Sequence, residues 1–276
     1  MSTDLTGKVA FVTGAGRGQG RSHAIALARA GASVVVTDCC AQIPTVPYPM
    51  STSDDLAKTL AAVEEAGGRG ISVVADVRYS RQLADAVART REEFGRLDIV
   101  VANAGVAQGF PEEEAHTPDE IWGDYLAVNL TGSWNTIRAT APLLVEGGRG
   151  GSVILINSTS GLKGMSRGDP RSDAYTAGKH GQVGLMKAYA LELGPHGIRV
   201  NCVHPTAVAT PMIDNPAMRS WVEHNMARVA TGFGDAMHAG RLEPEEISAA
   251  VLWLASDATK HVTGVSLPVD AGFAVV

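Results

Sequence analysis

A glycine-rich turn near the start of the chain constrains the fold more than any other feature of the sequence. The run from Lys8 to Thr13 is typical of a short buried strand, and a helical pattern follows from Arg21 to Ala30. Between them lies Gly14-Ala15-Gly16-Arg17-Gly18-Gln19-Gly20. Glycines in such a turn let the backbone approach a pyrophosphate, and the start of the helix supplies amide donors. The unit predicts a dinucleotide site, although a tight connection without a ligand uses the same residues.

Strand-like and helix-like patterns alternate along all 276 residues. Further strands are predicted at 33–37, 70–75, 97–102, 152–157, 198–204 and 265–269, and long helices at 82–94, 118–144, about 172–193 and 243–255. Such alternation predicts a parallel sheet with helices on both faces. Pro268 indicates that the last strand lies at an edge or ends there. We expect one α/β domain over 1–276, a Rossmann fold with a doubly wound sheet of about seven strands.

The composition excludes several classes of protein. The net charge of −6 argues against a nucleic-acid or anionic-membrane partner, because both require a basic surface. No segment reaches the roughly 20 apolar residues of a membrane span, and no secretory signal precedes the first strand. The three cysteines form neither a disulfide framework nor a metal-type spacing. We therefore expect a soluble, cytoplasmic protein without a bound metal.

Polar or small residues follow several predicted strands. Asp38, about 20 residues beyond the glycines, is placed to bind an adenosine ribose and to repel a 2′-phosphate, which favours NAD over NADP. Arg17 in the turn is also able to meet a phosphate. Asp76 and Val77 follow the third strand. The Asp76 carboxylate is placed to accept a hydrogen bond from the adenine amino group, and the alternative is an ordinary polar residue at the end of a strand. The small residues Asn103-Ala104-Gly105 suit a backbone that passes close to the cofactor, or a plain tight turn.

Tyr175 and Lys179 are four residues apart in a segment that reads as helical, so their side chains share one face. Lowering a tyrosine pKa from near 10 to about 7 requires about 4 kcal/mol. One positive charge about 4 Å away supplies that much at an effective dielectric near 20. The pair is therefore a candidate proton-transfer couple, with Tyr175 as general acid/base. The same spacing also arises on exposed helices that have no catalytic role.

Two further polar residues are candidates for the same crevice. Asn129 lies inside a predicted helix, where asparagine is unfavourable. It either hydrogen-bonds within the core or distorts the helix so as to hold a water. Ser158 follows the fifth strand and faces the carboxyl edge of the sheet, although hydroxyl residues are also common in loops.

Two segments depart from the regular pattern. Residues 39–53 form an insertion near the adenosine, with prolines at 44, 47 and 49 that exclude regular structure. It is either a cover for the cofactor or a surface or subunit contact. Residues 207–240 form a candidate substrate lid with apolar Met212, Trp221 and Phe233, and the alternative is core or subunit packing.

Taken in order, these motifs resemble those of the short-chain dehydrogenase/reductase family over nearly the full length of the chain. They are Thr13-Gly14-x-x-x-Gly18-x-Gly20, Asn103-Ala104-Gly105, Asn129, Ser158 and Tyr175-x-x-x-Lys179. The insert, the run 157–164 and Val203-His204-Pro205-Thr206 resemble, more narrowly, the carveol dehydrogenase-like, mycofactocin-associated branch. Most of the family has Pro-Gly where this chain has Pro205-Thr206.

The resemblance implies a role for each catalytic residue. Tyr175 exchanges a proton with the substrate oxygen, and Lys179 lowers the pKa of Tyr175 and hydrogen-bonds the nicotinamide ribose. Ser158 orients and polarises the carbonyl or alcohol oxygen, and Asn129 holds a water in a proton relay. The substrate-contacting residues are expected to be Ser158, Tyr175, Met212 and Trp221.

The resemblance also implies which residues contact the cofactor. The turn after the first strand lines the pyrophosphate, Asp38 binds the adenosine ribose, and Asp76 and Val77 bind the adenine. Val208 and Thr210 hold the nicotinamide carboxamide. The expected cofactor-binding set is Gly14, Arg17, Gly18, Gln19, Asp38, Asp76, Val77, Asn103, Ala104, Gly105, Tyr175, Lys179, Pro205, Val208 and Thr210.

The expected activity is the NAD-dependent interconversion of a small-molecule secondary alcohol and a ketone. Members of the narrower branch hold NAD tightly, which implies a separate redox carrier that re-oxidises it in place. The family resemblance also implies a homotetramer. The alternatives are a ketoreductase for acyl or steroid substrates with freely exchanging NAD(P), a catalytically idle NAD-binding regulator, and a Rossmann-type epimerase or dehydratase.

Overall fold

The computed structural model describes residues 3–107, 109, 111, 113–165, 168–224 and 234–276. Its centre is a parallel sheet of seven strands in the order β3-β2-β1-β4-β5-β6-β7. The strands are β1 (Val9–Thr13), β2 (Ser33–Asp38), β3 (Gly70–Val74), β4 (Ile99–Ala102), β5 (Gly151–Ile156), β6 (Ile198–Pro205) and β7 (Ser266–Val269). The strand order reverses between β1 and β4, which creates a crevice at the carboxyl edge of the sheet. The predicted doubly wound α/β fold is confirmed.

Helices cover both faces of the sheet. They are α1 (Gly18–Arg29), α2 (Ser53–Glu65), α3 (Ser80–Phe94), α4 (Pro118–Leu126), α5 (Gly132–Gly147), α6 (Pro170–Leu193), α7 (Pro216–His224) and α8 (Pro244–Ala255). Helices α1, α2 and α8 pack over one apolar layer, and α3 to α6 pack over the other. Strand β1 is buried along its whole length because it faces both layers. Within the described residues, no helix is long and apolar enough to cross a bilayer.

The long helix predicted for 118–144 is wrong in one respect, since a π-helical turn at Ala127–Thr131 separates α4 from α5. Asn129 lies in that turn and is fully buried. Its Nδ2 donates to the carbonyls of Val106 (3.0 Å) and Tyr125 (3.1 Å), and its Oδ1 accepts from the Val106 amide (3.2 Å). The side chain therefore hydrogen-bonds within the core, as the first predicted alternative has it, and it lies in a distorted turn of the helix.

Helix α6 continues to Leu193, as predicted. Two of its glycines lie where a neighbouring segment packs closely against the helix. A Cβ on Gly181 would lie 2.8 Å from Leu130 Cδ1, and a Cβ on Gly178 would lie 3.3 Å from Asn129 Cβ. These two positions let α6 approach the π-helical turn closely. This close packing fixes the position of α6, and therefore the positions of Tyr175 and Lys179 relative to the crevice.

Strand β7 is the last strand of the sheet. The prediction drawn from Pro268 is therefore confirmed, since proline in a sheet is tolerated at an edge, where its missing amide costs no ladder hydrogen bond.

Candidate active site

Two adjoining cavities open at the carboxyl edge of the sheet, and together they contain every site residue predicted from the sequence. The first is lined by the glycine turn, the acidic strand ends and the catalytic helix; its predicted residues are Gly14, Arg17, Gly18, Gln19, Asp38, Asp76, Val77, Asn103, Ala104, Gly105, Asn129, Tyr175, Lys179, Thr210 and Met212. The second contains Ser158, Pro205, Val208 and Trp221, and it shares Tyr175, Thr210 and Met212 with the first. Tyr175 thus lies where the two cavities meet.

The glycine turn has the shape of a phosphate cradle. Gly14 adopts a left-handed φ of 63°, and a Cβ there would lie 2.7 Å from Ala104 Cα. A Cβ on Gly20 would collide with the carbonyl oxygen of Gly14. Within the described part of the chain, no side chain caps the start of α1, and the buried Oε1 of Gln19 has no partner. Free amides and an unpaired acceptor at a helix start fit the phosphates and sugars of a dinucleotide.

Arg17 is bound to the insert as well as lining the first cavity. Its Nη2 donates to the carbonyl of Pro49 at 2.5 Å. This cation therefore joins the glycine turn to residues 39–53, a contact that the sequence did not predict.

Asp38 is buried at the end of β2 and is held by two donors. Its Oδ2 accepts from the Gly16 amide at 2.9 Å, and its Oδ1 accepts from the Ser51 hydroxyl at 2.5 Å. This arrangement fixes a carboxylate beside the glycine turn, where it disfavours a second anion. Ser51, near the end of the insert, was not predicted as a partner of Asp38.

Asp76 lines the first cavity but is not a free carboxylate. Arg78 binds it through Nη2 (2.7 Å) and Nε (3.0 Å), and Arg78 Nη1 also binds Asp124 of α4 at 3.1 Å. The main chain next to it, at Val77, remains on the cavity wall. Arg78 directly follows the predicted pair, yet its role depends on contacts that only the fold creates.

The segment Asn103-Ala104-Gly105 joins β4 to the glycine turn. Asn103 Nδ2 donates to the carbonyls of Thr13 (2.9 Å) and Gly14 (3.1 Å). The Thr13 hydroxyl accepts in turn from the amides of Asn103 and Ala104, both at 3.1 Å. These small residues therefore hold the phosphate cradle in place from the neighbouring strand.

Ser158, Tyr175 and Lys179 are brought together at the junction of the cavities. Tyr175 and Ser158 line the second cavity together, and the Ser158 hydroxyl acts to lower the pKa of Tyr175. Lys179 Nζ donates to the carbonyl of Ile156 at 2.9 Å and lies 5.6 Å from the centre of the Tyr175 ring. The predicted face-sharing of the tyrosine and the lysine is therefore observed.

The pKa values in this cluster differ from the sequence-based expectation. Burial raises the pKa of Tyr175, and its hydrogen bond with Ser158 partly opposes that rise. Burial also lowers the pKa of the Lys179 ammonium to about 8. The expectation considered only the attraction between phenolate and ammonium, whereas removal from water penalises both charged forms.

Ser158 is mounted rigidly by main-chain and side-chain partners. Its amide donates to Asn157 Oδ1 at 2.7 Å, its carbonyl lies 2.8 Å from Nδ1 of the fully buried His204, and its hydroxyl accepts from the Ser160 amide at 3.1 Å. Asn157 and His204 were not predicted as supports. Asn157 directly precedes Ser158 in the sequence, whereas His204 lies in β6, 46 residues after Ser158.

The hydrogen-bonding groups of Asn129 are occupied by protein. Besides its side-chain contacts, its carbonyl accepts from Ser133 Oγ (3.0 Å) and Gln182 Nε2 (2.7 Å). A relay water at Asn129 therefore stays a prediction, and any such water would have to share that carbonyl.

The second cavity, of about 370 Å³, is the candidate substrate site. Most of its wall is apolar, and its polar lining residues include Ser158 and Tyr175 as well as the charged Arg219, Glu223 and Arg241. Met212 and the buried Trp221 line it, as predicted, and Trp221 belongs to α7. Phe233 lies outside the described residues. Phe273 and Met165 also line the cavity and were not predicted.

The insert packs across the first cavity, which Ile43, Tyr48 and Met50 help to line. The Tyr48 hydroxyl accepts from the Ala107 amide at 2.8 Å. The Thr45 hydroxyl donates to Asp124 at 2.8 Å, which ties the insert to α4.

Arg171 ties the insert to the catalytic helix. It lies in the first turn of α6, is buried, and donates through Nη2 to the Thr45 carbonyl at 3.1 Å. The segment is thus fastened to the two helices beside the crevice.

Comparison with known proteins agrees with this architecture. A family model described as "Enoyl-(Acyl carrier protein) reductase" matches residues 14–274. The chain is 42% identical to (-)-trans-carveol dehydrogenase of Rhodococcus erythropolis, with 97% of this chain and 98% of that protein covered.

Two crystal structures are also similar. One is a short chain dehydrogenase of Mycobacterium paratuberculosis bound to NAD, with a TM-score of 0.90, 42% identity, and 98% and 99% of the two chains covered. The other is carveol dehydrogenase of Mycobacterium avium in complex with NAD, with a TM-score of 0.88, 43% identity and 98% of each chain covered. With the glycine cradle and the Ser158, Tyr175 and Lys179 cluster on one sheet edge, these matches show that the chain belongs to the short-chain dehydrogenase/reductase family.

Proposed function

We propose that this protein is an NAD-dependent oxidoreductase that interconverts a cyclic secondary alcohol and the corresponding ketone, with Tyr175 as general acid/base. The observation that carries the proposal is the position of Tyr175, which lines both cavities and has Lys179 Nζ 5.6 Å from the centre of its ring. A proton-transfer group at that junction is able to reach a substrate oxygen from one cavity and a cofactor from the other.

The first cavity supports NAD as the cofactor. The glycine cradle and the start of α1 suit its pyrophosphate, and the fixed Asp38 carboxylate suits an unphosphorylated adenosine ribose. Both of the NAD-bound structures compared above share this fold. When bound, NAD supplies the hydride acceptor or donor, and the protein supplies position and electrostatics.

Tyr175 accepts the hydroxyl proton during alcohol oxidation and returns a proton to the carbonyl oxygen during reduction. The Ser158 hydroxyl orients that oxygen and stabilises the charge that develops on it, because its own backbone is held on both sides. Lys179 keeps a positive charge in the cluster that favours the tyrosinate and, by family resemblance, binds the nicotinamide ribose. The resemblance gives Asn129 a relay water, and Val208 and Thr210 the carboxamide.

The largely apolar second cavity supports a cyclic, terpenoid-like substrate. The similarity to carveol dehydrogenase points to the same class. We propose residues 207–240 as a lid, and in their described part the buried Met218 and Trp221 of α7 support this because they line the apolar wall.

Tyr175→Phe tests the catalytic role. We expect the rate of cofactor reduction to fall about 10²- to 10⁴-fold, because the ring remains and only the transferable proton is lost. Absorbance of reduced nicotinamide with a panel of secondary alcohols measures it. Tyr189→Phe, on the same helix and outside both cavities, should retain the wild-type rate. A Tyr175→Phe enzyme with an unchanged rate would contradict the proposed role.

We further propose that residues 39–53 cover bound NAD, so that a separate redox carrier re-oxidises the cofactor in place. The seating of Tyr48 on the cavity wall and the fastening of Thr45 to two helices support a closed cover. Family resemblance suggests a homotetramer.

Native mass spectrometry of protein purified without added cofactor tests the cover. We expect the wild type to retain NAD and Tyr48→Ala to lose it, because a large part of the wall is removed. Tyr79→Ala, which removes an exposed ring, should retain NAD like the wild type. Equal retention by the two variants would contradict the cover, and an empty wild type would favour free exchange.

A further inference from the structure

A short turn after β7 forms one wall of the substrate cavity. The chain leaves β7 at Val269 and makes a 3₁₀ turn at Phe273–Val275. The Phe273 side chain is buried and lines the same cavity as Ser158 and Tyr175. Neither its sequence position nor its motif context marks it, because it approaches the site only through the fold.

The turn is held in a single conformation by the carboxylate of Asp270. Oδ1 accepts from the Gly272 amide at 3.0 Å, and Oδ2 accepts from the Ala274 amide at 2.7 Å. The Asp270 carbonyl also accepts from the Phe273 amide at 2.9 Å. The carboxylate and the carbonyl of Asp270 therefore fix the main chain of the turn from which the Phe273 side chain extends.

The backbone of this turn is strained. Ala271 has a φ of 51° and Gly272 a φ of 81°, both in the left-handed region. For alanine, this conformation is unfavourable because its Cβ crowds the neighbouring carbonyl oxygen. The Ala271 carbonyl accepts from the Met237 amide at 3.1 Å, which helps to hold the strained residue. Strain of this kind persists where the surrounding structure determines it, and it is commonly found at functional sites.

Lys163 fastens the turn to the loop that carries the catalytic serine. Its Nζ donates to the Phe273 carbonyl at 3.2 Å and lies 5.1 Å from the centre of the Phe273 ring, within the range of a cation–π interaction. Lys163 follows β5 and is two residues before Met165, another residue of the cavity wall. The distance from the reacting end of the cavity to the Phe273 wall is therefore fixed by direct contacts.

Other parts of the cavity wall are more adaptable than Phe273. They include Met165, Met212 and Met218, and unbranched methionines change rotamer easily to fit different ligands. Phe273 has only two side-chain torsions, and its backbone is fixed. The fixed Phe273 ring therefore limits the size of the substrate that the cavity accepts.

Resting on the proposed function, we propose that Phe273 is a specificity-determining residue that restricts the substrate to single-ring secondary alcohols. Held by Asp270 and Lys163, its ring excludes the second ring of a fused system when the hydroxyl carbon lies beside Ser158 and Tyr175.

Phe273→Ala tests this inference in single-turnover assays of bound NAD reduction. The probes are carveol, decahydronaphthalen-2-ol and a four-ring steroid alcohol. We expect the ratio of kcat/KM for the fused-ring alcohols over carveol to rise roughly tenfold or more, the scale by which a pocket discriminates substrate size. Lys163→Met, which frees the turn, should move the ratio in the same direction by a smaller factor.

Val275→Ala is the matched control, since Val275 belongs to the same turn and its side chain is 84% exposed. It should leave the ratio unchanged. If Phe273→Ala fails to fold, Phe273→Leu, which shortens the wall with less loss of volume, serves in its place. An unchanged ratio in folded Phe273 and Lys163 variants, or an equal change in Val275→Ala, would overturn the inference.

Failure of the proposed function gives a different result. A wild type that oxidises none of the three alcohols contradicts the activity and leaves the size limit to be tested by binding. Calorimetric titration of the wild type and the Phe273 variant with the corresponding ketones then gives dissociation constants, from which the preference for fused-ring over single-ring ligands is calculated. A ratio that does not change between them again overturns the inference.

Discussion

At the scale of single residues, position was easier to predict from the sequence than electrostatic environment. The spacing of Tyr175 and Lys179 gave their common face, because a helix repeat depends only on local geometry. The spacing did not predict the direction in which the pKa of Tyr175 shifts, because burial raises that pKa. Burial is a property of the whole fold, and so are the hydrogen bonds of Ser51 with Asp38 and of Arg78 with Asp124.

Asp38→Asn should weaken the preference for NAD over NADP. The substitution removes the charge that repels a 2′-phosphate and leaves an amide of nearly the same shape. We expect the ratio of kcat/KM for the two cofactors to shift toward NADP by roughly 10- to 100-fold, equivalent to about 1.4 to 2.7 kcal/mol. Steady-state kinetics with both cofactors, after removal of bound nucleotide, measure the shift.

Asp54→Asn is a suitable control, because Asp54 is exposed and pairs with Lys58 at the start of α2. It should not alter the cofactor ratio. A constant ratio in Asp38→Asn would show that discrimination lies elsewhere in the cradle.

At the scale of elements, the order of strands and helices was predictable, but the interruption at Ala127–Thr131 was not. The periodic pattern of apolar residues runs through the π-helical turn without a break. The interruption depends on hydrogen bonds between Asn129 and Val106, which lies 23 residues earlier in a different loop. A local pattern carries no information about such a partner.

Two glycines of α6 should respond differently to alanine. Gly181→Ala places a methyl group 2.8 Å from Leu130 Cδ1, so the Leu130 side chain must shift, and the substitution should raise the free energy of unfolding by less than the same change at Gly184. Gly184 is exposed in the same helix, and a Cβ there meets no described atom within 4 Å. Gly184→Ala should raise the free energy of unfolding by about 0.5–1 kcal/mol.

Urea denaturation of the two variants and the wild type measures both effects. Equal stabilisation by both substitutions would show that α6 is not packed closely against the π-helical turn.

At the scale of the whole molecule, stability should depend on pH through His23. This ring is fully buried between α1 and α8, with Nδ1 2.8 Å from Ser248 Oγ. Burial lowers the pKa of His23 to about 3. An unfolded chain has a histidine pKa near 6.5, so between these values the unfolded state binds a proton that the folded state does not. The free energy of unfolding should therefore fall as the pH falls below 6.5.

The expected slope from this one group is about 1.4 kcal/mol per pH unit between roughly pH 5.5 and 4. His23→Asn keeps an amide near Ser248 and removes the titration, so its stability should vary less with pH. His261→Gln, at an exposed position, should keep the wild-type slope. Urea denaturation at several pH values compares the three slopes, and identical slopes for wild type and His23→Asn would contradict the assignment.

The outermost strand has a consequence for how copies of this chain meet. Because β7 carries Pro268, its free side lacks one amide donor in a strand of only four residues. A second strand placed along that side would miss one main-chain hydrogen bond, which disfavours edge-to-edge pairing of sheets between molecules.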